Sequence, residues 1–588
     1  MRATGRRPRM FRIPLTGGAL AIGILATIVI ATLSVAGASR AWAGSTADGR
    51  GRGMATAITQ GHLTRVGSIV PAESARTSRT AVPHTSGSDL HHMDMLRQLQ
   101  ALHAGATGAT ASPDLRASSG SSVLPVETGT PGLLRNLDGI DAVQSDAING
   151  SPFDPPDQGL CADPAFVVEL VNQAMAVYHH DGSVAAGPST INSFFGDDPT
   201  ELDFDVNCAF DPLSSAWFAS AMAVDPDFKH SHLDLAVRPG LDPTAGWTNY
   251  RIDTTATSDP GCPCYGDNPR LGVDAFGVYL TENEGSLSAT NFHFNGSQIF
   301  AVAKRQLVAL QPAPDVVHYG GLMLGGMVAD ALQPAATRVP APAEYLLGSL
   351  YRGVPGNDLL GVWALTDQFR LDIGGAPALS SLLIRSEAYS RPPLAAQKGS
   401  ATPIEPDDAR MEPDVLYRDG TLWASLNTGV TIAGDSATRA EVAWFAIRPT
   451  VEGDRMVRAA IFDQGYLATR GEDLLYGALT VDREGRGAMV LSLTGTDYYP
   501  SVVYTTFRAE GAQREFSPLH LAASGTGPVT DQTSCPPASG GVCAWGDYSA
   551  ATPDGLDGHM WLASEYVPGP ADQFENWGTR ILEVVPAS

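Results

Sequence analysis

Two stretches of this chain, near residues 267 and 547, spell almost the same phrase. The first reads Tyr265-Gly266-Asp267-Asn268-Pro269, followed by Asp274, Gly277, a short apolar run and Glu284. The second reads Trp545-Gly546-Asp547-Tyr548-Ser549, followed by Asp554, Gly558, a similar run and Glu565. The Glu lies 17 positions after the Asp in one copy and 18 in the other. Such self-similarity marks a repeat architecture, in which each unit buries its apolar face only against a neighbour.

Partial copies extend the series. Phe210-Asp211-Pro212 leads into Trp217-Phe218-Ala219-Ser220, and Asp414 leads through Asp419-Gly420 into Trp423-Ala424-Ser425. The last copy carries Trp561-Leu562-Ala563-Ser564. Cys161-Ala162-Asp163, Glu344-Tyr345-Leu346-Leu347 and Asp473-Leu474-Leu475-Tyr476 supply the remaining anchors. Neighbouring anchors, near 161, 208, 267, 340, 414, 475 and 547, lie 47 to 74 residues apart, room for four strands and their loops. One aromatic followed by small residues suits strands that taper toward a crowded axis. The expected fold is therefore all-β, a β-propeller of seven blades over residues 133–588. A row of β-sandwiches would need linkers between units, and none of that length is present.

Bulk composition sets limits on partners. The 62 Gly and 42 Pro suit a turn-dense protein, and a formal charge of −25 repels nucleic acid and anionic membrane surfaces. Only Lys229, Lys304 and Lys398 are lysines, so nearly all positive charge is arginine. The chain is expected to act as a monomer with no nucleic-acid partner.

Arg2, Arg6, Arg7, Arg9 and Arg12 precede an uncharged stretch from Ile13 to Ser39, and Ala41-Trp42-Ala43 offers a small-residue cleavage site. Residues 1–43 thus read as a signal peptide cleaved after Ala43, with an uncleaved membrane anchor as the alternative. Residues 44–132 are rich in Ser, Thr, Ala and Gly and poor in aromatics, and are expected to form a disordered, flexible spacer. The protein is expected to be secreted or held at the cell surface.

Six cysteines agree with an oxidising compartment. Cys535 and Cys543 bracket a Pro- and Gly-rich loop and are expected to pair. Cys161 with Cys208 would tie two successive repeats, while Cys262 and Cys264 form either a tight local bridge or two half-pairs.

Pro155-Pro156-Asp157-Gln158-Gly159, Asn192-Ser193-Phe194-Phe195, Gly266-Asp267 and the closing Asn576-Trp577-Gly578-Thr579-Arg580-Ile581 span most of the chain. On these phrases it resembles a group of secreted bacterial propeller proteins of largely unassigned function. Gly420 to Trp423 and Gly558 to Trp561 keep the Gly-x-x-Trp half of an Asp box. In that respect the chain is distantly similar to the sialidase superfamily. Here Asp419 and Asp557 sit directly before the Gly rather than two positions earlier. The arginine triad and Tyr/Glu pair of sialidases have no matched positions. Phe11-Arg12-Ile13-Pro14 falls inside the signal peptide and supplies no site residue.

If each anchor leads into an innermost strand, Asp163, Asp267, Asp414, Asp473 and Asp547 converge on an acidic ring that is the expected ligand site. Converging carboxylates call for a cation, and oxygen ligands suit Ca²⁺, with Asp267 and Asp547 as its ligands. The competing reading is that each Asp caps its own turn. Asp203-x-Asp205-x-Asn207 opens like a calcium loop but lacks the later Gly and Glu of an EF-hand. His230-Ser231-His232 places two His at alternate strand positions, a weak metal pair. No nucleophile elbow, P-loop, dinucleotide fingerprint or zinc-protease motif occurs, so no catalytic residue is assigned.

These features favour a secreted propeller that binds an extracellular glycan, polymer or surface protein. The alternative is a glycoside hydrolase or lyase using Asp or Glu at the channel mouth, which needs two carboxyls roughly 5 to 9.5 Å apart. A purely structural extracellular role is the third reading. The acidic-ring reading predicts that Ca²⁺ raises the unfolding temperature by several degrees and that Asp267→Asn with Asp547→Asn abolishes the rise. Turn capping predicts no change with Ca²⁺ or excess EDTA.

Overall fold

Within each repeat of the computed structural model, successive strands pair antiparallel as a meander. The structure describes residues 57–71, 120–150 and 153–586, with short breaks at 228, 257–258, 288–292, 351–356, 436, 511–512, 532, 536–540, 555–557 and 570–575. The expected signal peptide, residues 1–43, lies outside the described residues.

Five strands precede the repeats: β1 (Ala57–His62), β2 (Thr64–Ile69), β3 (Ser122–Val123), β4 (Val126–Glu127) and β5 (Leu133–Asp141). The first meander is β6 (Gly159–Ala162), β7 (Phe166–Val171), β8 (Ala174–His179) and β9 (Val184–Thr190). Next come β10 (Leu202–Asp211), β11 (Ala216–Val224), β12 (Ser231–Pro239) and β13 (Trp247–Asp253). They are followed by β14 (Cys264–Val273), β15 (Gly277–Ser286), β16 (Phe294–Ala303) and β17 (Asp315–Gly320). A small ribbon, β18 (Met323–Leu324) and β19 (Met327–Val328), then leads to β20 (Gln333–Pro334) and β21 (Ala336–Thr337). β20 pairs onward with β22 (Ala343–Ser349), β23 (Asn357–Thr366) and β24 (Ala378–Tyr389).

The second half repeats the scheme. β25 (Leu416–Arg418), β26 (Thr421–Thr431), β27 (Thr438–Val451) and β28 (Val457–Ala468) form one meander. β29 (Glu472–Val481), β30 (Gly487–Gly495), β31 (Ser501–Glu510) and β33 (Leu519–Ala523) form another, with β32 (Gln513–Phe516) paired beside β31. β34 (Ala550–Pro553), β35 (Met560–Tyr566) and β36 (Gly578–Val584) remain one strand short, and β5 from the start of the chain completes them.

Five of these sheets stand separately, while the β14–β17 and β25–β28 meanders are joined through β21, which runs parallel to both β14 and β25. The leading strands neighbour one another in turn, from β6 through β10, β14, β20, β21, β25 and β29 to β34, and β34 returns to β6. A closed ring of sheets is a β-propeller.

Turn chemistry follows from sequence. Asp419-Gly420 links β25 to β26 with both residues at positive φ (48° and 81°), the pairing a two-residue hairpin needs. The strands are buried on both faces because neighbouring blades pack face to face. One apolar cluster joins Leu233, Leu235 and Tyr250 to Val278, Leu280 and Phe300 of the next meander. Trp217, Trp363, Trp444 and Trp561 are fully buried. The second strand, rather than the innermost one, carries the Trp-then-small pattern in β11, β26 and β35.

The spacer expected over 44–132 needs correction within its described parts. β2 extends the outer edge of β13 and β1 that of β17, with Leu63 between them 2% exposed. β3 runs parallel to β28 and β4 to β33, with Leu124 buried between them. These segments form a belt over open strand edges, which would otherwise be pairing hazards. Composition concealed this because an edge strand is held by backbone hydrogen bonds and needs only one apolar plug per pair of strands.

All three disulfides are intramolecular: Cys161–Cys208 ties β6 to β10, Cys262–Cys264 is the local bridge, and Cys535–Cys543 closes a loop. Among the described residues, no helix is long and apolar enough to cross a membrane.

A second fastening recurs between blades. Asn172, Asn283 and Asn427 each accept, through Oδ1, the backbone N–H of the residue that opens the next blade: Asp205 (3.0 Å), Ala331 (3.0 Å) and Tyr476 (2.8 Å). Asn427→Ala would leave the buried Tyr476 N–H unpaired and is expected to lower stability by about 1–3 kcal/mol, measured as a drop in the urea midpoint at unchanged slope.

Candidate functional site at the propeller axis

The residues that open the inner strands share an unusual backbone. Asp157, Asp205, Asn268, Ala331, Asp414 and Tyr476 all have positive φ, between 42° and 68°. In β10, β14 and β29 the position coincides with a break in ladder register, after Phe204, Asp267 and Leu475. A left-handed residue at a bulge turns its side chain out of the ladder, and Asp and Asn tolerate that conformation best. Strain of this kind clusters where a site is being built.

Several of these side chains meet in one network. Asp157 accepts from Asn172 Nδ2 (2.7 Å) and from the Asp547 N–H (2.7 Å). Asp205 accepts from the Asn268 N–H (3.2 Å), and Asn268 Oδ1 accepts from the Tyr548 hydroxyl (2.8 Å) and from Arg270. The Arg270 guanidinium lies 3.7 Å from the centre of the Tyr548 ring, a cation–π contact.

Two long inter-blade loops complete the site. Residues 390–415 and 524–549 pair through a parallel bridge of Ile404 to Cys543, with Glu405 N–H donating to the Cys543 carbonyl (2.9 Å). The first loop brings Asp407, Asp408, Arg410 and Glu412. Arg410 donates to Asp407 Oδ2 (2.7 Å) and, through Nε, to Asp408 Oδ1 (3.0 Å). Together with Asn268, Arg270, Asp547 and Tyr548 these residues line a narrow, half-open pocket. Asp407, Arg410 and Asp547 are only partly buried and reach its opening, whereas Asp157, Asp205, Asp408 and Glu412 are buried behind them.

Burial raises the Asp547 carboxyl well above the ordinary range, reinforced by Asp157, Asp407 and Asp205 and opposed by Arg410. Asp157 is raised well above by burial and by Asp205, and Glu412 by burial and by Asp407. Asp408 is pushed up to about 6 by burial, against the pull of Arg410. For Arg410 itself burial acts downward, but Asp407, Asp408 and Asp330 outweigh it and the group is held well above its usual value. Five carboxyls raised by burial, those of Asp157, Asp205, Asp408, Glu412 and Asp547, thus stand beside two arginines within one small space.

The expected acidic ring is only partly assembled here. Asp547 lies in the pocket. Asp267 sits at the β14 bulge, where its charge acts on Glu282. Asp414 accepts from the Ala551 N–H (2.7 Å) near Arg270 and Arg338, and burial raises it to about 7. Asp473 accepts from the N–H groups of Ala396 (3.2 Å) and Ala440 (3.0 Å) and is raised to about 6, mainly by burial. Asp163 requires correction: it caps the β6–β7 turn through the N–H groups of Ala165 (2.8 Å) and Phe166 (2.7 Å). It lies six residues beyond Asp157, at the opposite end of the inner strand, with Asp211 and Asp274 capping the same turn in the next two blades. The sequence alignment had merged the two ends of that strand into one ring. The signal for the missed residues was the length of the 390–415 connection and the acidic run Glu405, Asp407, Asp408 and Glu412 within it.

No protein-family model matches the sequence, and no curated protein matches it. Among solved structures, the chain is similar to a Trypanosoma rangeli sialidase in complex with sialic acid. The identity is 9%, covering 69% of this chain and 56% of that one, with a TM-score of 0.31. A Penicillium chrysogenum alpha-L-arabinanase complexed with arabinobiose matches at 8% identity, over 77% of this chain and 98% of that one, with a TM-score of 0.31. Drosophila Semaphorin 1b, extracellular domains 1–2, matches at 7% identity over 78% and 88%, with a TM-score of 0.30.

The folded-state value of Asp414 lies above its unfolded value of 3.8, so the native state retains a proton that the unfolded chain has lost. Its contribution to stability is complete below about pH 4 and is lost as pH rises toward about 7. Asp414→Asn removes this titration while its amide oxygen still accepts from Ala551. The loss of stability across that window is expected to shrink by roughly 2–4 kcal/mol, read from urea unfolding at the two pH values.

Proposed function

We propose that this chain is an exported, seven-bladed β-propeller that engages a glycan at the mouth of its axial pocket and cleaves a glycosidic bond with paired carboxyls. The seven-blade count is supported by the run of leading strands from β6 to β34, taking β20 and β21 as one blade's opening, and by β5 completing the last sheet. Export is supported by the three disulfides and by the signal-like first 43 residues.

One observation carries the catalytic reading. The two carboxyls that reach the opening have opposite surroundings: the Asp547 carboxyl is raised well above the ordinary range by burial and by Asp157, while Asp407 is ion-paired with Arg410. Asp547 would donate a proton to the leaving oxygen. Asp407 would act at the anomeric carbon, directly or through a water. Arg270 and Tyr548 would fix the orientation of the ring, and Asp157 and Asp205 would keep Asp547 protonated.

A binding module without catalysis is the second reading, favoured by the grip of Arg410 on both Asp407 and Asp408, which immobilises a recognition carboxylate. In either case the partner is an extracellular glycan and the protein acts as a single copy. Calcium at Asp267 and Asp547 is a competing proposal, since a calcium-bound Asp547 carboxylate has no proton to donate.

The test is to screen the purified chain against aryl glycosides and plant, fungal and bacterial polysaccharides. Hydrolysis of one substrate class is expected, with Asp547→Asn and Asp407→Asn each lowering kcat/KM by about 10²–10⁴ while the fold is retained. Glycan binding without cleavage at any pH would transfer the assignment to a binding module. Neither binding nor cleavage would leave the structural role.

A further inference from the structure

Away from the axis, the β10–β13 sheet carries a group of ionisable side chains whose partners do not balance. Antiparallel register sets Asp203 opposite Ala223 and Ala223 opposite His232, and sets Ala221 opposite Asp234 and Asp234 opposite Arg251. Directly paired residues project from one face. The small Ala221 and Ala223 therefore leave a depression between Asp203 on one side and His232 with Asp234 on the other. The loop before β10 brings Asp197 and Glu201 over it, so that ligand atoms of Asp197, Glu201 and His232 all lie within 4.8 Å of one another.

The internal contacts leave this group unsatisfied. Asp203 and Asp234 are 0% exposed and His232 is 7% exposed. Arg251 pairs with Asp197 and, at 3.3 Å, with Asp234 Oδ1. Both oxygens of Asp203 and Oδ2 of Asp197 have no hydrogen-bond partner, and the ion pair of His232 Nε2 with Asp234 Oδ2 leaves them unanswered. A buried carboxylate with neither oxygen bonded is strongly unfavourable. The charges acting on Asp203 are those of Asp234, His232 and Glu201, so it faces the same depression.

The spacing is that of ligands around an ion. His232 Nε2 stands 3.0 Å from Asp234 Oδ2 and 3.5 Å from Asp197 Oδ1. Two ligands each about 2.1 Å from a shared metal lie about 3.0 to 3.5 Å apart in octahedral or tetrahedral geometry. We propose that Asp197, Glu201, His232 and Asp234 bind one divalent transition metal, zinc or manganese, on the second blade, with Asp203 beneath it as a further ligand or charge partner. An imidazole among carboxylates suits these ions better than calcium or magnesium, which take oxygen donors. The sequence had suggested a His230–His232 pair and an Asp203–Asp205 calcium loop. Instead His230 is exposed in the turn before β12, and the left-handed backbone of Asp205 turns that side chain to the axial pocket.

The test uses the whole exported chain, stripped with EDTA and dialysed, then titrated by calorimetry with ZnSO₄, MnCl₂ and CaCl₂ separately while thermal unfolding is followed. Binding of one equivalent of Zn²⁺ or Mn²⁺ with a raised unfolding temperature is expected. His232→Gln and Glu201→Gln should each weaken it at least tenfold. Glu201 is partly exposed, so its variant keeps the test decisive if the buried substitution does not fold. Absence of Zn²⁺ and Mn²⁺ binding, binding unchanged in Glu201→Gln, or uptake of Ca²⁺ alone would each overturn the proposal.

Discussion

Everything in this structure depends on sheet edges finding partners. A ring of sheets has no covalent closure of its own, and the last meander reaches only three strands before the chain ends. Pairing of β36 with β5 supplies the fourth strand from the opposite end of the sequence. Without it, the strand carrying Ile581 and Leu582, both fully buried, would present a bare edge and lose its place between neighbours. The same requirement explains β1 to β4, which run along the outer edges of four other sheets.

With the outside held, the inside can carry strain. The left-handed residues at the axial ends of the inner strands break ladder pairing and expose backbone N–H groups, and the asparagines of the preceding blades meet three of them. Each blade thus stabilises the awkward first residue of the next. Side chains released from the ladder, among them Asp157, Asp205 and Asn268, become available to one another around the axis. Symmetry supplies that framework and the two long loops destroy it. The connections at 390–415 and 524–549 reach across and bring Asp407 and Arg410 to the site.

The all-β repeat was legible because the Gly-Asp phrase and Trp-then-small strands recur, and two of the three disulfides were legible from cysteine spacing, while the pairing of Cys262 with Cys264 was not. Register within the repeat was harder. Asp163 and Asp157 both look like turn-forming aspartates, and only the ladder of β6 with β7 shows that they sit at opposite ends of one strand. The site was half legible: Asp547 and Arg270 lie in or beside the repeated phrase, but Asp407 and Arg410 belong to no repeat and reach the site on a long loop between blades. The strands hidden in residues 57–69 and 122–127 carried no signal, since Thr, Gly, Ser and Gln at an exposed edge are chosen for backbone pairing rather than for burial.

The position of the belt in the sequence has a consequence for the order of events during folding. The strands that finish the edges are the first to leave the ribosome, and their partners follow much later, in the case of β5 some 440 residues later. The N-terminal segments therefore have nothing to pair with while the chain is being made and moved. Contacts so distant along the chain make ring closure slow and postpone it until the last strand is present. A protein arranged in this way cannot close its ring until its last strand has been made.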